Sequence, residues 1–546
     1  MSISQNYPIT SPSLSLDFAN TKVLDPRITF SRPTSAVYYD GQTVTKAEEN
    51  LFTYSQEFDH SSWSKNSGTI TANTTVAPDG TTTADTVNPA SGLLEIAKSI
   101  IIGAGTYTLS VFLSGSGTVK IGFYNAVDGV QDSTDITLTG TLTRYSVTKT
   151  LSASSTLFYP ATTRGLSTVT SLVIWGAQLE ARDTVTAYTP TTTQAITNYI
   201  PTLLTAPANT ARFDHNPVTG ESLGLLVEEQ RTNLLLQSEN VTSSPWGKTV
   251  LGTSTRVQSG WSAGFNIAQI IATSANGGLR QSVFSLASGQ VYTLSFFLAS
   301  TLTNVAINAE NSASSYGSFM SASINAVTGA VSITAGFTSA SSYALGNGWV
   351  YQFTLPPAGG LLYLSLELRA ATINVPFYLG RFQLEAGAFP TSYIKTQASQ
   401  VTRSADSASM TGANFSDWYN PSEGTWVFNA ITPTIVPNTI LLASNISANQ
   451  IYVSGGTGRF SSYSPAYATT TNAVTPNVPF IGAVSFNSMN NINTVLNGGN
   501  PASATYTNFY ANQITASFGA TDTVYFKRIA FYPQVSSVAQ LQALTS

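Results

Sequence analysis

The chain has 546 residues, a net charge of −4, no cysteine, and only 9% charged residues, against about 25% in an ordinary soluble protein. Without cysteine there is no disulfide, no thiolate metal site and no cysteine nucleophile. Without a Lys/Arg cluster there is no phosphate-binding face, so nucleic acid is not an expected partner.

Hydrophobic residues make up 42% and fall in strand-length runs between Ser, Thr, Asn and Gly, which suits short β-strands and polar turns rather than disorder. The first thirty residues contain Pro8, Pro12 and Pro26 and show little periodicity. With the stretch up to residue 50 they read as a docking segment and connector (1–50), anchored by another protein rather than by a core of their own. The first basic residue is Lys22, and no apolar run reaches the ~18 residues that a membrane span needs. Neither a secretory leader nor a membrane insertion is expected.

Next comes a phrase that the chain writes twice. Asn50, Leu51, Ser55 and Trp63 return as Asn233, Leu234, Ser238 and Trp246, each 183 positions later. Tyr107-Thr-Leu-Ser-Val-Phe-Leu-Ser114 returns as Tyr292-Thr-Leu-Ser-Phe-Phe-Leu-Ala299, and its alternation of Leu109, Val111 and Leu113 with Thr108 and Ser110 marks a half-buried strand. Tyr145-Ser-Val-Thr148 returns as Tyr351-Gln-Phe-Thr354, and Gln178-Leu-Glu-Ala181 as Gln383-Leu-Glu-Ala386, with Tyr188 matching Tyr393. The step widens only once, by about twenty residues, which places an insertion within 300–345 that reads as a longer loop or an extra hairpin. The unit copied is a whole module, present at 51–190 and again at 234–400, with a connector at 191–233.

Short alternating strands separated by turns such as Pro78-Asp79-Gly80, with no helical period, predict antiparallel β-sandwiches of the jelly-roll type. From 401 the pattern changes. Gly424-Thr-Trp-Val-Phe-Asn-Ala430 and Thr523-Val-Tyr-Phe-Lys-Arg-Ile-Ala-Phe-Tyr532 read as strands, and Ser537 with Gln540 forms a capping box ahead of Val538, Leu541 and Leu544. Residues 401–546 are therefore a third sandwich with one short helix. The fold class is all-β, a tandem of antiparallel sandwiches with very little helix. Charge concentrates at 21–50 and 198–231, where opposite charges can pair at contacts between domains or subunits.

Three segments resemble stretches that recur in virion structural proteins of tailed bacteriophages: 212–235, Gln383-Leu-Glu-Ala-Gly-Ala-Phe-Pro-Thr-Ser-Tyr-Ile394, and 401–420. The Asn-Leu, Ser, Trp opening of each module resembles that of jelly-roll carbohydrate-binding modules. The strand-then-helix ending resembles a concanavalin A/laminin-G-type sandwich. The resemblance implies a tail fibre, receptor-binding protein or head-decoration protein on the particle surface. It implies other virion proteins as partners, a homotrimer, and a host-surface glycan as ligand. It also implies a structural calcium, with Glu57 as the candidate ligand; no other cofactor is expected.

Trp418-Tyr419, flanked by Asn414 and Asp417, reads as an exposed polar-aromatic cluster that could stack on and orient an uncharged sugar. Ligand contact is accordingly expected in the third domain, with its Asn- and Ser-rich loops. Trp63 and Trp246 are either sugar platforms or residues that close a sandwich core, and their repetition in a fixed framework favours the core. His60 and His215 both follow Phe-Asp, but they are not equivalent in the repeat and no Gly-x-Ser-x-Gly elbow accompanies either, so a catalytic triad is not expected. The adjacent acids Glu48-Glu49 and Glu228-Glu229 would face opposite sides of a strand and single out no pair for glycoside cleavage. The reading is a non-enzymatic virion protein that displays sandwiches to a host-surface glycan. The alternatives are a capsid-decorating or tail-scaffold protein that binds only other virion proteins, and a glycan-degrading enzyme.

Overall fold

The computed structural model describes residues 11–546 apart from 91–93, 126–129, 153–154, 165–167, 187, 248–253, 263–264, 312–317, 347, 358–361, 436–437, 446–448, 465, 490, 506–514 and 520–521. The fold is all-β, with antiparallel sheets packed as sandwiches. Helix is confined, among the described residues, to Phe18–Thr21, Ala413–Ser416 and Val538–Leu544. The last of these carries the capping box of Ser537 and Gln540. No helix among the described residues is long and apolar enough to cross a membrane.

In the first module, one five-stranded sheet has Thr118–Asn125 and Ser155–Thr162 near its centre, and the other has Gly105–Ser116 and Ser171–Glu180. Leu109, Val111 and Leu113 point between the sheets and meet Ile121, Phe123 and Phe158 there. The second module repeats this plan with six and five strands. Leu109 lies beside Leu179 and Val147, and Leu294 lies beside Leu384 and Phe353, so the two leucines hold equivalent places. The insertion is the strand pair Val331–Ala335 and Ser339–Leu345, which adds one strand to each sheet, while the first module's edge strand Ser64–Asn66 is matched in the second, among the described residues, only by the bridge between Gly247 and Arg280.

The copied phrase is a polar clasp. The Asn50 amide donates to the carbonyls of Ala177 and Thr189, and its Oδ1 accepts from the N–H groups of Phe52 and Leu179. Asn233 does the same with Phe382, Ile394, Leu235 and Leu384. A buried amide that makes all four of its bonds both satisfies itself and fixes the strands around it. Ser55 Oγ and Tyr188 OH are 2.6 Å apart, as are Ser238 Oγ and Tyr393 OH. Trp63 Nε1 donates to the Tyr54 carbonyl at 2.8 Å, and Trp246 Nε1 to that of Gln237 at 3.0 Å.

One position of the clasp differs. Gln281 bonds both the N–H and the carbonyl of Leu236. The first module has Lys98 there, whose Nζ donates to the Thr53 carbonyl and Ser62 Oγ and lies 4.6 Å from the Trp63 ring centroid. Burial pushes the Lys98 pKa down to about 8.

The third sandwich draws strands from three parts of the chain. One sheet runs Arg212–His215, Ser222–Val227, Val524–Tyr532, Gly424–Ile431, Phe480–Phe486, Asn491–Leu496 and Ala502–Thr505, with Leu14–Asp17 also paired to Val524–Tyr532. The other sheet begins with Thr29–Ser31 beside Ser407–Thr411. Leu14, Leu16, Phe18, Leu225 and Val227 are buried in one core with Trp426, Phe428, Phe526 and Phe531. This corrects the expected division of the chain. The prolines of the first thirty residues predicted a segment without a core of its own, yet residues 14–31 enter the core of the third sandwich. A chain cut at Val401 would strip those apolar side chains of their cover, so the third sandwich is not a detachable unit.

A buried charge network sits where these segments converge. Arg32, Arg212, Arg403, Glu228 and Asp406 are all at most 4% exposed. Asp406 pairs with Arg32 at 3.0 Å and with Arg212 at 2.6 Å. Glu228 pairs with Arg212 at 2.8 Å and with Arg403 at 3.2 Å, and accepts from the N–H and hydroxyl of Ser392 in the second module. Burial works to raise the Glu228 pKa, but Arg403 and Arg212 outweigh it and hold the carboxyl at about 2. Its folded pKa lies below the unfolded 4.5, so its contribution is present above pH 4.5 and is lost as pH falls towards 2.

Two outcomes follow from these contacts. Asp406→Ala leaves Arg32 and Arg212 without their shared partner and is expected to cost about 3–5 kcal/mol in denaturant unfolding; a loss under 1 kcal/mol would dissolve the claim that the network holds the junction. For Lys98, the folded pKa lies below the unfolded 10.5, so its burial penalty is full below about pH 8 and fades towards pH 10.5. The difference in Tm between the wild-type chain and Lys98→Gln should therefore shift in favour of wild type as pH rises from 7 to 10. A difference that stays flat with pH would contradict it.

Candidate functional site

The site is built on the outer face of the larger sheet of the second module. Alternation turns Leu294, Phe296, Tyr351 and Phe353 into the core, leaving the intervening side chains on the opposite face. Three registers cross that face. Phe297, Val350 and Tyr343 form the first, Ser295, Gln352 and Ser341 the second, and Thr293, Thr354 and Ser339 the third. The apolar register is covered by the connectors, through Tyr39, Ile200 and Leu203. The two polar registers face open space except at Thr293, which is buried and donates to the Gly387 carbonyl. Ser339 Oγ donates to Thr354 Oγ1 at 2.9 Å, and Ser341 Oγ to Gln352 Oε1 at 3.3 Å.

The space in front of them is a cavity of about 650 Å³. Its other walls are the connector turn His215–Thr219, the loop Ala388–Tyr393, and Pro433, Asn477 and Tyr525 of the third sandwich. Tyr38, Tyr39, Phe389 and Tyr393 bring aromatic rings to it. This size and mixture of rings, hydroxyls and amides match a small-molecule site, for which volumes of about 300–1,000 Å³ are usual. The inserted strand Ser339–Leu345 supplies one wall, and the first module has no counterpart of it.

Besides tyrosines, an acid, a histidine and an arginine stand among the described lining residues. Asp214 Oδ1 accepts from the N–H groups of Tyr39 and His215. Burial raises its pKa to about 6 despite those bonds. His215 Nδ1 faces the carbonyls of Tyr39 and Phe213, so that nitrogen carries the proton. Arg381 is the third. Its Nη1 donates to Tyr39 OH at 2.8 Å, and its guanidinium lies over the rings of Tyr39, Phe265 and Tyr393.

Arg381 occupies an unusual backbone position. Its φ is 57°, in a bulge where the strand Pro376–Ala386 slips register against Tyr292–Ser300. The first module has the same bulge, with φ of 60°, and fills it with Gly176. Glycine adopts that conformation freely, whereas a side chain there costs about 1–2 kcal/mol.

The side chains picked out from sequence lie elsewhere. Trp418 and Tyr419 are only 6% and 8% exposed and pack on Phe415, Trp426 and Phe531. The short helix Ala413–Ser416 turns the Trp418 indole inward, where Nε1 donates to the Asn414 carbonyl. Asn414 and Asp417 remain exposed, but the rings beside them offer no open face. The stacking role is therefore corrected to a core role. Trp63 and Trp246 are core residues as well, Trp63 against Phe52 and Phe58, and Trp246 against Phe382. Glu57 is exposed on a turn, and no group of three His, Cys, Asp or Glu side chains that could hold a metal ion forms among the described residues. His60 stacks on Tyr54, far in sequence from the cavity that His215 lines.

Sequence reading also passed over an aromatic pair in the third sandwich. Tyr463 and Tyr467 face each other across a hairpin with ring centroids 4.5 Å apart, and Tyr467 is 62% exposed. Two tyrosines bracketing Ser-Pro-Ala were the available signal.

No family model matches the chain, and no curated protein does. Among solved structures, the N-terminal tandem CBM22-1–CBM22-2 domain of Paenibacillus barcinonensis Xyn10C aligns at 11% identity over 63% of this chain and 99% of its own, with a TM-score of 0.20. The arabinofuranosyltransferase AftD from Mycobacteria aligns at 9% identity over 91% of this chain and 35% of its own, with a TM-score of 0.13. At such scores the fold rests on this chain's own sheets, and the site on its own side chains.

Proposed function

We propose that the chain is a non-enzymatic component of a phage particle, a fibre or spike that offers β-sandwich modules to a host-surface glycan. The observation that carries the glycan reading is the cavity of about 650 Å³, in which a hydroxyl- and amide-bearing sheet face meets tyrosine and phenylalanine rings. Sugars need both, hydrogen bonds for orientation and a flat apolar face for stacking. Supporting a binding role over a hydrolytic one, Asp214 is the lone carboxylate among the described lining residues, and glycoside cleavage needs two. The particle assignment rests on the segments at 212–235, 383–394 and 401–420 that resemble phage virion proteins. A trimer fits this role, because several copies turn weak sugar contacts into firm attachment.

Full-length protein applied to an array of bacterial surface glycans should bind a restricted set. Gln352→Ala and Tyr38→Ala should each weaken that binding about tenfold, the ~1.4 kcal/mol of one lost contact, with Tm little changed. Binding to other virion proteins with no glycan bound would replace this reading with the decorating or scaffold role. Release of reducing ends from a bound polysaccharide would replace it with the enzymatic one. Light scattering should give the mass of three chains, and a monomer at concentrations where the particle is intact would refute the trimer.

A further inference from the structure

Arg381 is charged, half-buried and turned to the cavity, yet the described residues give it no carboxylate. The fully buried guanidiniums of Arg32, Arg212 and Arg403 each have an acidic partner. Arg381 instead rests on three aromatic rings, with centroids 5.6–5.9 Å from its Cζ, and donates to one phenol. The rings ease the charge but accept no hydrogen bond in the plane of the guanidinium, whose five donors form a fork suited to a carboxylate.

The backbone adds an independent reason. The bulge needs a left-handed residue, and Gly176 meets that need in the first module. A fold that needed the bulge alone had glycine to hand. The second module places a strained arginine there, beside the one wall that the first module lacks. Strain kept at a position facing a cavity is characteristic of sites that act on a ligand. The cavity's own carboxylate, Asp214, is already held through Oδ1 by two backbone N–H groups on the connector side.

We propose that the cavity's ligand carries a carboxylate, as an acidic sugar of the uronate class, and that Arg381 receives it. The proposal rests on the cavity being a glycan site and names which class of glycan it takes. Neutral contacts along Ser341, Gln352 and Thr354 then orient the ring, while Arg381 discriminates by charge.

The experiment compares a glucuronate-containing disaccharide with its neutral glucose counterpart by calorimetry, using full-length protein at about 0.15 M salt. The wild-type chain is expected to prefer the acidic probe at least tenfold. Arg381→Gly, which gives the bulge the residue it has in the first module, should still unfold cooperatively, and its ratio of acidic to neutral binding should fall to near unity. Arg381→Gln, which keeps the side-chain bulk, should lose the preference too. Retained preference in both variants overturns the proposal. Equal binding of both probes by wild type overturns it while leaving the glycan site standing. Binding of neither probe removes both readings, and tighter binding of a sulfated counterpart overturns the carboxylate assignment.

Discussion

Five buried ionised side chains decide how this molecule is put together. Arg32, Arg212, Arg403, Glu228 and Asp406 come from the N-terminal segment, the connector and the start of the third sandwich, and Ser392 ties the second module to them. Desolvating that many charges is costly, and the cost is met only when all of them meet at once. Three guanidiniums face two carboxylates, and further donors find backbone carbonyls of Thr34, Val37, Pro207 and Glu229, while Arg212 Nε and Arg403 Nε are left without a hydrogen-bond partner among the described residues. The arrangement has one good solution. That specificity, more than any gain in stability, is what a chain assembled from distant segments requires.

Much of the fold was legible because repetition is easy to read. Asn50 and Asn233, Ser55 and Ser238, and Trp63 and Trp246 mark equivalent clasps, and the widened step located the inserted strand pair. Strand alternation around Leu109 gave the facing of the sheets. The assignment of Leu14–Asp17 and Ser222–Val227 to the third sandwich was not legible, because strand partners hundreds of residues apart leave no local pattern. Trp418-Tyr419 misled for a related reason: polar neighbours predict exposure only when the backbone does not turn the rings inward, and the Ala413–Ser416 turn does so.

The cavity escaped sequence reading altogether. Its walls come from an insertion, a connector turn, a loop of the second module and loops of another domain, and although the turn and the module's loop lie in the segments 212–235 and 383–394 that stand out in the sequence, nothing in those segments says that they meet. A trace was present in hindsight. Aligning the two modules sets Arg381 against Gly176, a substitution that is neutral on a surface and informative in a left-handed bulge. Duplicated modules thus act as internal controls: where one copy keeps the easy residue and the other does not, the difference points to a task that only one copy performs.

The pairing of Leu14 with Phe531 has a consequence for the chain's synthesis. The two modules lie between these residues and can each close as soon as they emerge, since their clasps join positions within about 160 residues of each other. The strand Leu14–Asp17 cannot; its partner strand is made last. At a ribosomal rate of roughly 5–20 residues per second, it waits on the order of 25–100 s with Leu14, Leu16 and Phe18 uncovered. By the last part of that interval the nascent chain holds two finished modules and a still open apolar end, which is when a chaperone, or a second nascent copy, has its chance to bind.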